Sequence, residues 1–571
     1  MRKHDGRLPL GQEEIFEQRP PDDQPPTHEC VSFTTPAAQC RVFATVQRPM
    51  SRTHVNDAAI EISDLYVGAG ASEHPALRRW REARLARGGP FRPDFKMYTG
   101  HGSPQMTADR LHLLQTLGVE SILLAWDLPS QLGLDPDHRL ARSQVGRAGV
   151  SCSSLDDMRT ICSQIDLKQL RSLGTLANSL GPIGFAFVIE ALREAGAEST
   201  AIYMQNDPLK EFTARGTEIF DPVNALRLAC DVAEYAVRHE IPGHAITVCS
   251  NHYDIAGAGP VGGLALALAN GIAYMDDLVA RGLDPGAAAK TISLFVNERS
   301  DFFITAALFR STRVLWSDLL AECYGLDPAQ SDPLHLMGYA HGLEAPEEPL
   351  VNVARVAVSV AAATFGGADT LCAAAYDEAL RVPSDDAAAL ALRTIQVASS
   401  EHGVSDTLDP LSGGFKYESL CDEIVTEARR EFDEIQSRGG AITCIENGYA
   451  LSLLSAGQQH RHEQLKSGNR LWVGVNQYSS PDQRHLFSGQ SQGDTRLREA
   501  EVELANAARE RKRTNQVATE VPLREVEKLA ENGENMVESV IVALRAGATT
   551  EQVMSATRRG FESVTGAKTR A

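Results

Sequence analysis

The sequence predicts an α/β protein, a (β/α)8 TIM barrel with an N-terminal arm and a C-terminal helical region. Eight short β-prone runs recur between residues 95 and 376. Each is separated from the next by a stretch too long for a hairpin connection and patterned for helix. No G-x-G-x-x-G loop follows an early run, as a doubly wound open sheet would normally require. The open sheet is the alternative; the count of eight is what the barrel needs. Residues 1–90 are assigned to an arm and subunit-contact segment, 91–400 to the barrel and 401–571 to the helical region.

The first 60 residues are polar and rich in proline, as in Arg19-Pro-Pro-Asp-Asp-Gln-Pro-Pro26. Such composition favours extended backbone over packed elements, so the segment is an arm or a leader without packed structure. The strand runs are FKMYTG (95–100), ILLAWD (122–127), LGTLAN (173–178), AIYMQN (201–206), AITVCSN (245–251), ISLFVN (292–297), LHLMGY (334–339) and TLCAAAY (370–376). Helices are predicted between them. Residues 222–238 carry apolar Val223, Leu226, Leu228, Val232, Ala233 and Ala236, and residues 262–281 are largely apolar and Ala-rich. Beyond residue 400, Glu418 to Ser437 and Leu497 to Lys512 are strongly periodic, and the charge-rich stretch Arg496 to Arg513 reads as a solvated helix face.

Composition excludes several classes of function. The 55 Lys and Arg against 75 Asp and Glu leave a net charge of −20, which opposes attraction to nucleic acid or an anionic membrane. No apolar run approaches the ~18 to 20 residues that span a bilayer, and the opening MRKHDGRLPLGQEEIFEQRPP lacks a signal peptide's apolar stretch, so a cytoplasmic protein is expected. The ten cysteines are scattered without a C-x-x-C pair and read mostly as small buried hydrophobes.

Barrel chemistry sits at the C-terminal ends of the strands. There the second run ends in Trp126-Asp127, and the fourth leads into Gln205-Asn206-Asp207, Lys210-Glu211 and Arg215. The fifth leads into Asn251-His252-Tyr253-Asp254 and the eighth into Tyr376-Asp377-Glu378. An Arg fork can hold a carboxylate bidentately and a His can exchange a proton near neutral pH, which together suggest an acidic substrate. An ion pair with Glu211 or Asp221 is the plain alternative for Arg215, and a core histidine is the alternative for His252. No metal site is expected, because His460 and His462 lie in a polar segment without a third ligand. No G-x-S-x-G elbow follows any of the eight runs and no H-E-x-x-H occurs, so hydrolase chemistry has no support.

The segment QNDPLKEFTARGTEIFDP (205–222) resembles the barrel subunit of the methylmalonyl-CoA mutase family. So do LAWDLPSQLGLDPDH (124–138), VGRAGVSCSSLDDM (145–158), SNHYDIAGA (250–258), NVAR (352–355) and ENGENMVESVIVALRAGAT (531–549). The resemblance runs from about residue 90 to the end. It implies an adenosylcobalamin-dependent isomerase that rearranges a carboxylated acyl thioester by radical chemistry. It also implies a large subunit that works with a small cobalamin-binding partner, as a heterodimer or heterotetramer. The partner would carry the Asp-x-His-x-x-Gly motif of the cobalamin-binding Rossmann-like domain, a motif absent from this sequence.

Carried over by position, the resemblance assigns the substrate's free carboxylate to Arg215, places Gln205 near the acyl group, and counts Ser293 and Tyr98 among the substrate-binding residues. His252 becomes the group that polarises the migrating carbonyl. Glu378 becomes the holder of the adenosyl ribose, and Trp126, Leu128 and Gln131 fall where the family meets the corrin. The first-strand loop departs from the family: it reads KMYTGHGSPQMTA (96–108). His101 and Met106 stand where the family places arginines on the coenzyme A phosphates, and Ala108 replaces a bulky residue against the substrate. Thr291 stands for a further arginine, Asp369 to Ala374 depart from the family's eighth strand, and His335 falls one residue from a second active-site histidine. Three readings follow: a mutase close to methylmalonyl-CoA, a divergent mutase with another carrier, or a silent scaffold barrel.

Overall fold

The computed structural model describes residues 53–55, 61–66, 73–297, 301–340, 345–479 and 493–565. The arm expected over residues 1–60 falls outside these, apart from Thr53–Val55, which pairs antiparallel with Glu61–Ser63.

Eight parallel strands form the barrel: β1 (Asp94–Thr99), β2 (Ser121–Leu124), β3 (Ser172–Thr175), β4 (Ala201–Tyr203), β5 in two pieces (Gly243–His244 and Ile246–Cys249), β6 (Ile292–Asn297), β7 (His335–Ala340) and β8 (Thr370–Ala373). Each predicted run contains or overlaps its strand. β8 pairs back onto β1 through Thr370 and Asp94. The break at Ala245 closes the ring, because the first piece of β5 pairs with β4 and the second with β6. Nine hydrogen-bonded segments therefore make one nearly closed barrel. β2, β3 and β8 are buried at every residue, as expected of parallel strands covered on both faces.

The helices start where local chemistry favours them. Pro222–Arg238 has Pro at its first position, and the Asp221 carboxylate accepts from the backbone N–H groups of Val223 (3.1 Å) and Asn224 (3.0 Å). One sequence expectation needs correction: the helical stretch Ser250–Ala280 is, by length and composition, long and apolar enough to cross a membrane. Its main part, Gly259–Ala280, is a core helix instead, wedged between the barrel and helix Phe415–Ser437 and continuously buried from Gly263 to Ile272.

The helices beyond residue 401 share the barrel's core rather than forming a detached region. Arg227 donates to the carbonyls of Leu529 and Ala530 at 2.9 Å, and Arg545 donates to Glu190 at 2.9 Å. Helix Gly493–Thr514 buries Ala505 and Ala508 and leaves most of its charges in solvent. The eight described cysteines are free thiols, six of them buried.

Candidate active site

At the C-terminal end of β4 the chain is tied to β3. Gln205 donates its N–H to Thr175 O at 3.1 Å, and its carbonyl accepts from Ala177 and Asn178. Asp207 anchors the next turn from below: it accepts from the Tyr274 hydroxyl (2.7 Å), the Asn270 amide (3.2 Å) and the Cys249 N–H (2.9 Å). Burial pushes its carboxyl up, against the pull of Lys210. Wholly buried Lys210 donates to Asn178 Oδ1 at 2.7 Å and pairs with Glu211, which also accepts from the Thr217 hydroxyl. Burial alone would raise Glu211, but Lys210 and then Arg215 outweigh it and hold the carboxyl below its ordinary value.

This network frees Arg215, which ends the turn Glu211–Arg215. Its nearest acid is Glu211, 4.0 Å from Nε, and Glu211 is already engaged by Lys210 and Thr217. Asp221, the other partner open to it from sequence, caps the following helix and accepts from the Asn224 amide at 2.6 Å. Both terminal guanidinium nitrogens of Arg215 lack a hydrogen-bond partner among the described residues, so the fork is open to an incoming acid.

His252 lies in the short helix Ser250–Tyr253, which packs directly against the Arg215 turn and against β6. The Ser250 hydroxyl donates to Phe295 O at 2.9 Å, and Tyr253 OH is 3.1 Å from the Asn270 amide, which fixes that helix on both sides. The imidazole is half-buried.

Across the mouth, Tyr98 and Tyr339 meet edge to face with ring centroids 6.3 Å apart. The Tyr339 hydroxyl donates to both oxygens of Glu378, at 2.5 and 2.6 Å, and Ala375 N–H donates at 3.3 Å. Burial pushes Glu378 up while the Tyr339 bond pulls it down. Tyr98 is 37% exposed, but to a cavity rather than to the outer surface. Enclosure pushes its phenol above the ordinary range, with Arg215 drawing it back and Glu378 and Glu211 opposing, so these charges surround one hydroxyl. The cavity, of about 340 Å³, is lined by Tyr98, Gly100, Arg110, Tyr339, Glu378 and Arg381. A Cβ on Gly100 would lie 2.2 Å from the Ala125 carbonyl, so only glycine lets β1 leave the barrel here.

The structure thus brings Tyr98, Gln205, Arg215, His252 and Glu378 to the strand ends. It does not bring Ser293 there: this residue is the second of β6, fully buried, and donates to Thr247 Oγ1 at 2.9 Å. That is ~13 Å down the strand from Asn297. Leu128 is 37% exposed on the rim. Trp126 is completely enclosed against Phe187, and Gln131 donates to its carbonyl at 2.6 Å, so these two shape the loop that presents Leu128. His335 belongs to the lower barrel. His101 is held to about 4 by burial and by Arg110, and is neutral at pH 7. Asp135, Asp137 and Glu551 converge, but on the amine of Lys512, 2.8 to 3.0 Å away. His460 and His462 are exposed on helix Tyr449–Ser467.

Sequence reasoning missed Tyr339, which clamps Glu378, and Thr217, which helps to occupy Glu211. The signal for Tyr339 was present: period-2 alternation in LHLMGY puts residues 335, 337 and 339 on one face.

Fold and site together define a (β/α)8 barrel with an arginine among the residues at its strand ends. A family model described as methylmalonyl-CoA mutase matches residues 93–563, and the chain belongs to that family of acyl-CoA carbon-skeleton mutases. It is 29% identical over 448 residues to a methylmalonyl-CoA mutase of Rhizobium meliloti, covering 78% of this chain and 62% of that protein. It is 31% identical over 480 residues to an ethylmalonyl-CoA mutase of Cereibacter sphaeroides, covering 82% and 72%. With the 2-hydroxyisobutanoyl-CoA mutase large subunit of Aquincola tertiaricarbonis it shares 28% over 459 residues, covering 80% and 81%. The chain therefore spans less than two thirds of the length of the methylmalonyl-CoA mutases of Rhizobium meliloti and Escherichia coli.

Proposed function

We propose that this chain is the substrate-binding subunit of an adenosylcobalamin-dependent mutase that rearranges a carboxylated acyl substrate, working with a separate small cobalamin-binding subunit. The observation that carries the reading is Arg215, whose terminal nitrogens have no hydrogen-bond partner among the described residues, while Lys210 and Thr217 occupy Glu211 and a helix cap occupies Asp221. A fixed fork of this kind selects a carboxylate by paired charge-assisted hydrogen bonds. The large-subunit relative from Aquincola tertiaricarbonis supports a small-subunit partner.

The rim fits the cofactor's chemistry. Glu378, oriented by Tyr339 beside the cavity, offers acceptor oxygens suited to a ribose diol, and Leu128 offers exposed apolar surface to a macrocycle. When bound, adenosylcobalamin supplies the radical that removes and returns a substrate hydrogen. The chain's own residues do the rest. Arg215 fixes the carboxylate end, Tyr98 and Gln205 line the approach, and His252 donates to the migrating carbonyl, where a preorganised hydrogen bond is worth most in a dry site.

The test mixes the chain with a small cobalamin-binding subunit and adenosylcobalamin and follows electron paramagnetic resonance on adding carboxylated substrates. A substrate-dependent radical signal is expected. Its absence with every candidate acid and thioester would reject the reading in favour of a silent barrel.

A further inference from the structure

Below the mouth, two layers of side chains occupy the barrel axis. The upper one is apolar: Leu123, Cys249, Phe295, Met337 and Cys372 form a buried cluster of their own. The lower one is polar. Lys96 of β1 is fully buried, its amine 4.1 Å from the ring centroid of Tyr203 of β4 and without a hydrogen-bond partner among the described residues. The Tyr203 hydroxyl lies 3.0 Å from His335 Nδ1 of β7, and His335 Nε2 lies 2.8 Å from Thr370 Oγ1 of β8. β1 and β4, and β4 and β7, are not neighbours in the sheet, so these contacts cross the axis. The open space at the mouth lies to the side instead.

The cavity of about 340 Å³ follows the ends of β8, β1 and β2, and much of its wall is small: Gly100, Ala125, Ala148, Ala373, Ala375 and Ala388. Ala388 lies in the first turn of helix Asp385–Ser400, so the cavity passes from the strand ends out to the surrounding helices. On the barrel side it meets Tyr98 and Tyr339. On the helix side it meets Arg110, from helix Pro104–Thr116, and Arg381. A guanidinium carries more N–H donors than one acid can use. Arg110 spends its Nε–H on Asp385 at 2.7 Å, and Arg381 spends its own on Asp377 at 2.9 Å. The terminal nitrogens of both have no hydrogen-bond partner among the described residues, so two oriented forks are left over on one cavity. The acids offset their charge but leave these donors free, and Asp385 is 61% exposed, where water screens it. Glu378, the other acid on the cavity, is engaged by the Tyr339 hydroxyl.

Such a cavity suits a long ligand that is neutral and narrow along the small residues and anionic where the forks stand. Phosphate oxygens match a guanidinium fork bidentately. An acyl-CoA, the substrate class of the family to which the chain belongs, has this form: a neutral arm leads from the thioester to the phosphates. The neighbouring first-strand loop offers no cation, since His101 is neutral. Resting on the reading of Arg215 as the carboxylate anchor, we infer that the thioester's arm leaves the mouth sideways between β8 and β1, and that Arg110 and Arg381 bind its phosphates.

Calorimetric titration of the full chain with methylmalonyl-CoA and with methylmalonyl-pantetheine, which shares the acid and the thioester but has no phosphate, tests this. Wild type should bind the coenzyme A ester about tenfold tighter or more, the worth of roughly one charge-assisted hydrogen bond. In Arg110→Gln/Arg381→Gln, shown to be folded by circular dichroism, that advantage should vanish while the pantetheine ester binds as before. Should the double variant not fold, Arg381→Gln alone, at a side chain 41% exposed, should cut the advantage about threefold. Equal affinity of wild type for the two esters, an advantage that survives in the folded variants, or an equal loss for both esters would overturn the phosphate site. Arg215→Gln separates the two sites: it should weaken both esters by the same factor and leave their ratio intact. If it changes neither affinity while the coenzyme A advantage still depends on Arg110 and Arg381, the carboxylate anchor falls and the phosphate site stands. No binding of either ester by wild type would overturn both.

Discussion

The two ends of the barrel solve the problem of buried charge in opposite ways. At the mouth, three buried acids are matched: Glu211 by Lys210 and Thr217, Asp207 by three donors, Glu378 by Tyr339. The surplus charge, Arg215, is left where a ligand can reach it. In the lower layer the surplus charge is Lys96, and it is sealed against an aromatic face with nothing to reach it. A matched network with an open cation is arranged so that an acid could be recognised. A sealed cation is a filler whose cost the fold carries, and the difference marks which of the two cations a ligand can reach.

The largest effect is expected at the open cation. Arg215→Gln keeps the length of the side chain but removes the charge-assisted fork, worth about 3 kcal/mol or ~10²-fold. Affinity for a carboxylated acid, read by calorimetry, should fall by that factor, while the melting temperature stays within a few degrees because Arg215 has no structural hydrogen bond. Unchanged affinity would erase the contrast between the two ends.

The sealed cation should respond in stability instead. Burial lowers the Lys96 amine from 10.5 to about 8, with Cys372 and Asp94 raising it only in part. Between those values the unfolded chain binds the extra proton, so stability rises with pH from about 8 to 10.5 and is lowest below 8. Lys96→Met removes the penalty, and at pH 7 the variant should be more stable by up to about 3 kcal/mol. That advantage should shrink towards zero by pH 10.5 in denaturant titrations. A constant advantage at all pH values would mean that packing, not charge, separates the two proteins.

These two residues also mark how far the sequence could be read. All eight strands were legible, because short β-prone runs between long amphipathic stretches leave few alternatives, and Arg215, His252 and Glu378 followed from their place after strands. Lys96 lay inside the run FKMYTG, where a lysine reads as a solvent-facing position, and nothing local reveals that it meets Tyr203 across the axis. Ser293 was expected at the site by position in a matching segment, yet register places it four residues below the strand end. Which depth of the barrel a residue occupies depends on strand stagger and closure at Ala245, and both are tertiary facts.

A smaller effect is expected at the clamp on Glu378. Tyr339→Phe deletes the hydroxyl that donates to both carboxylate oxygens and keeps the ring against Tyr98 and Phe295. A hydrogen bond to a charged group is worth ~1.5 to 3 kcal/mol. Without it Glu378 should lose its fixed orientation, and its pKa, already raised by burial, should rise further. Adenosylcobalamin affinity in the presence of the small subunit should drop about tenfold, more steeply at pH 6 than at pH 8, because protonation removes the acceptor. Equal loss at both pH values would assign Tyr339 a packing role only.

The smallest effect belongs to Leu128, the rim residue that Trp126 and Gln131 hold in place. It is 37% exposed, so a partner can still bury roughly a third of its side chain, about 1 kcal/mol at the usual worth of a buried leucine. Leu128→Ser should weaken small-subunit or cofactor binding by about fivefold, measured by surface plasmon resonance. It should leave carboxylate binding at Arg215 unchanged, since the Arg215 turn is pinned to β3, β5 and Tyr274, and those hydrogen bonds do not involve Leu128. Loss of carboxylate binding in this variant would mean that rim and mouth are one coupled surface rather than two.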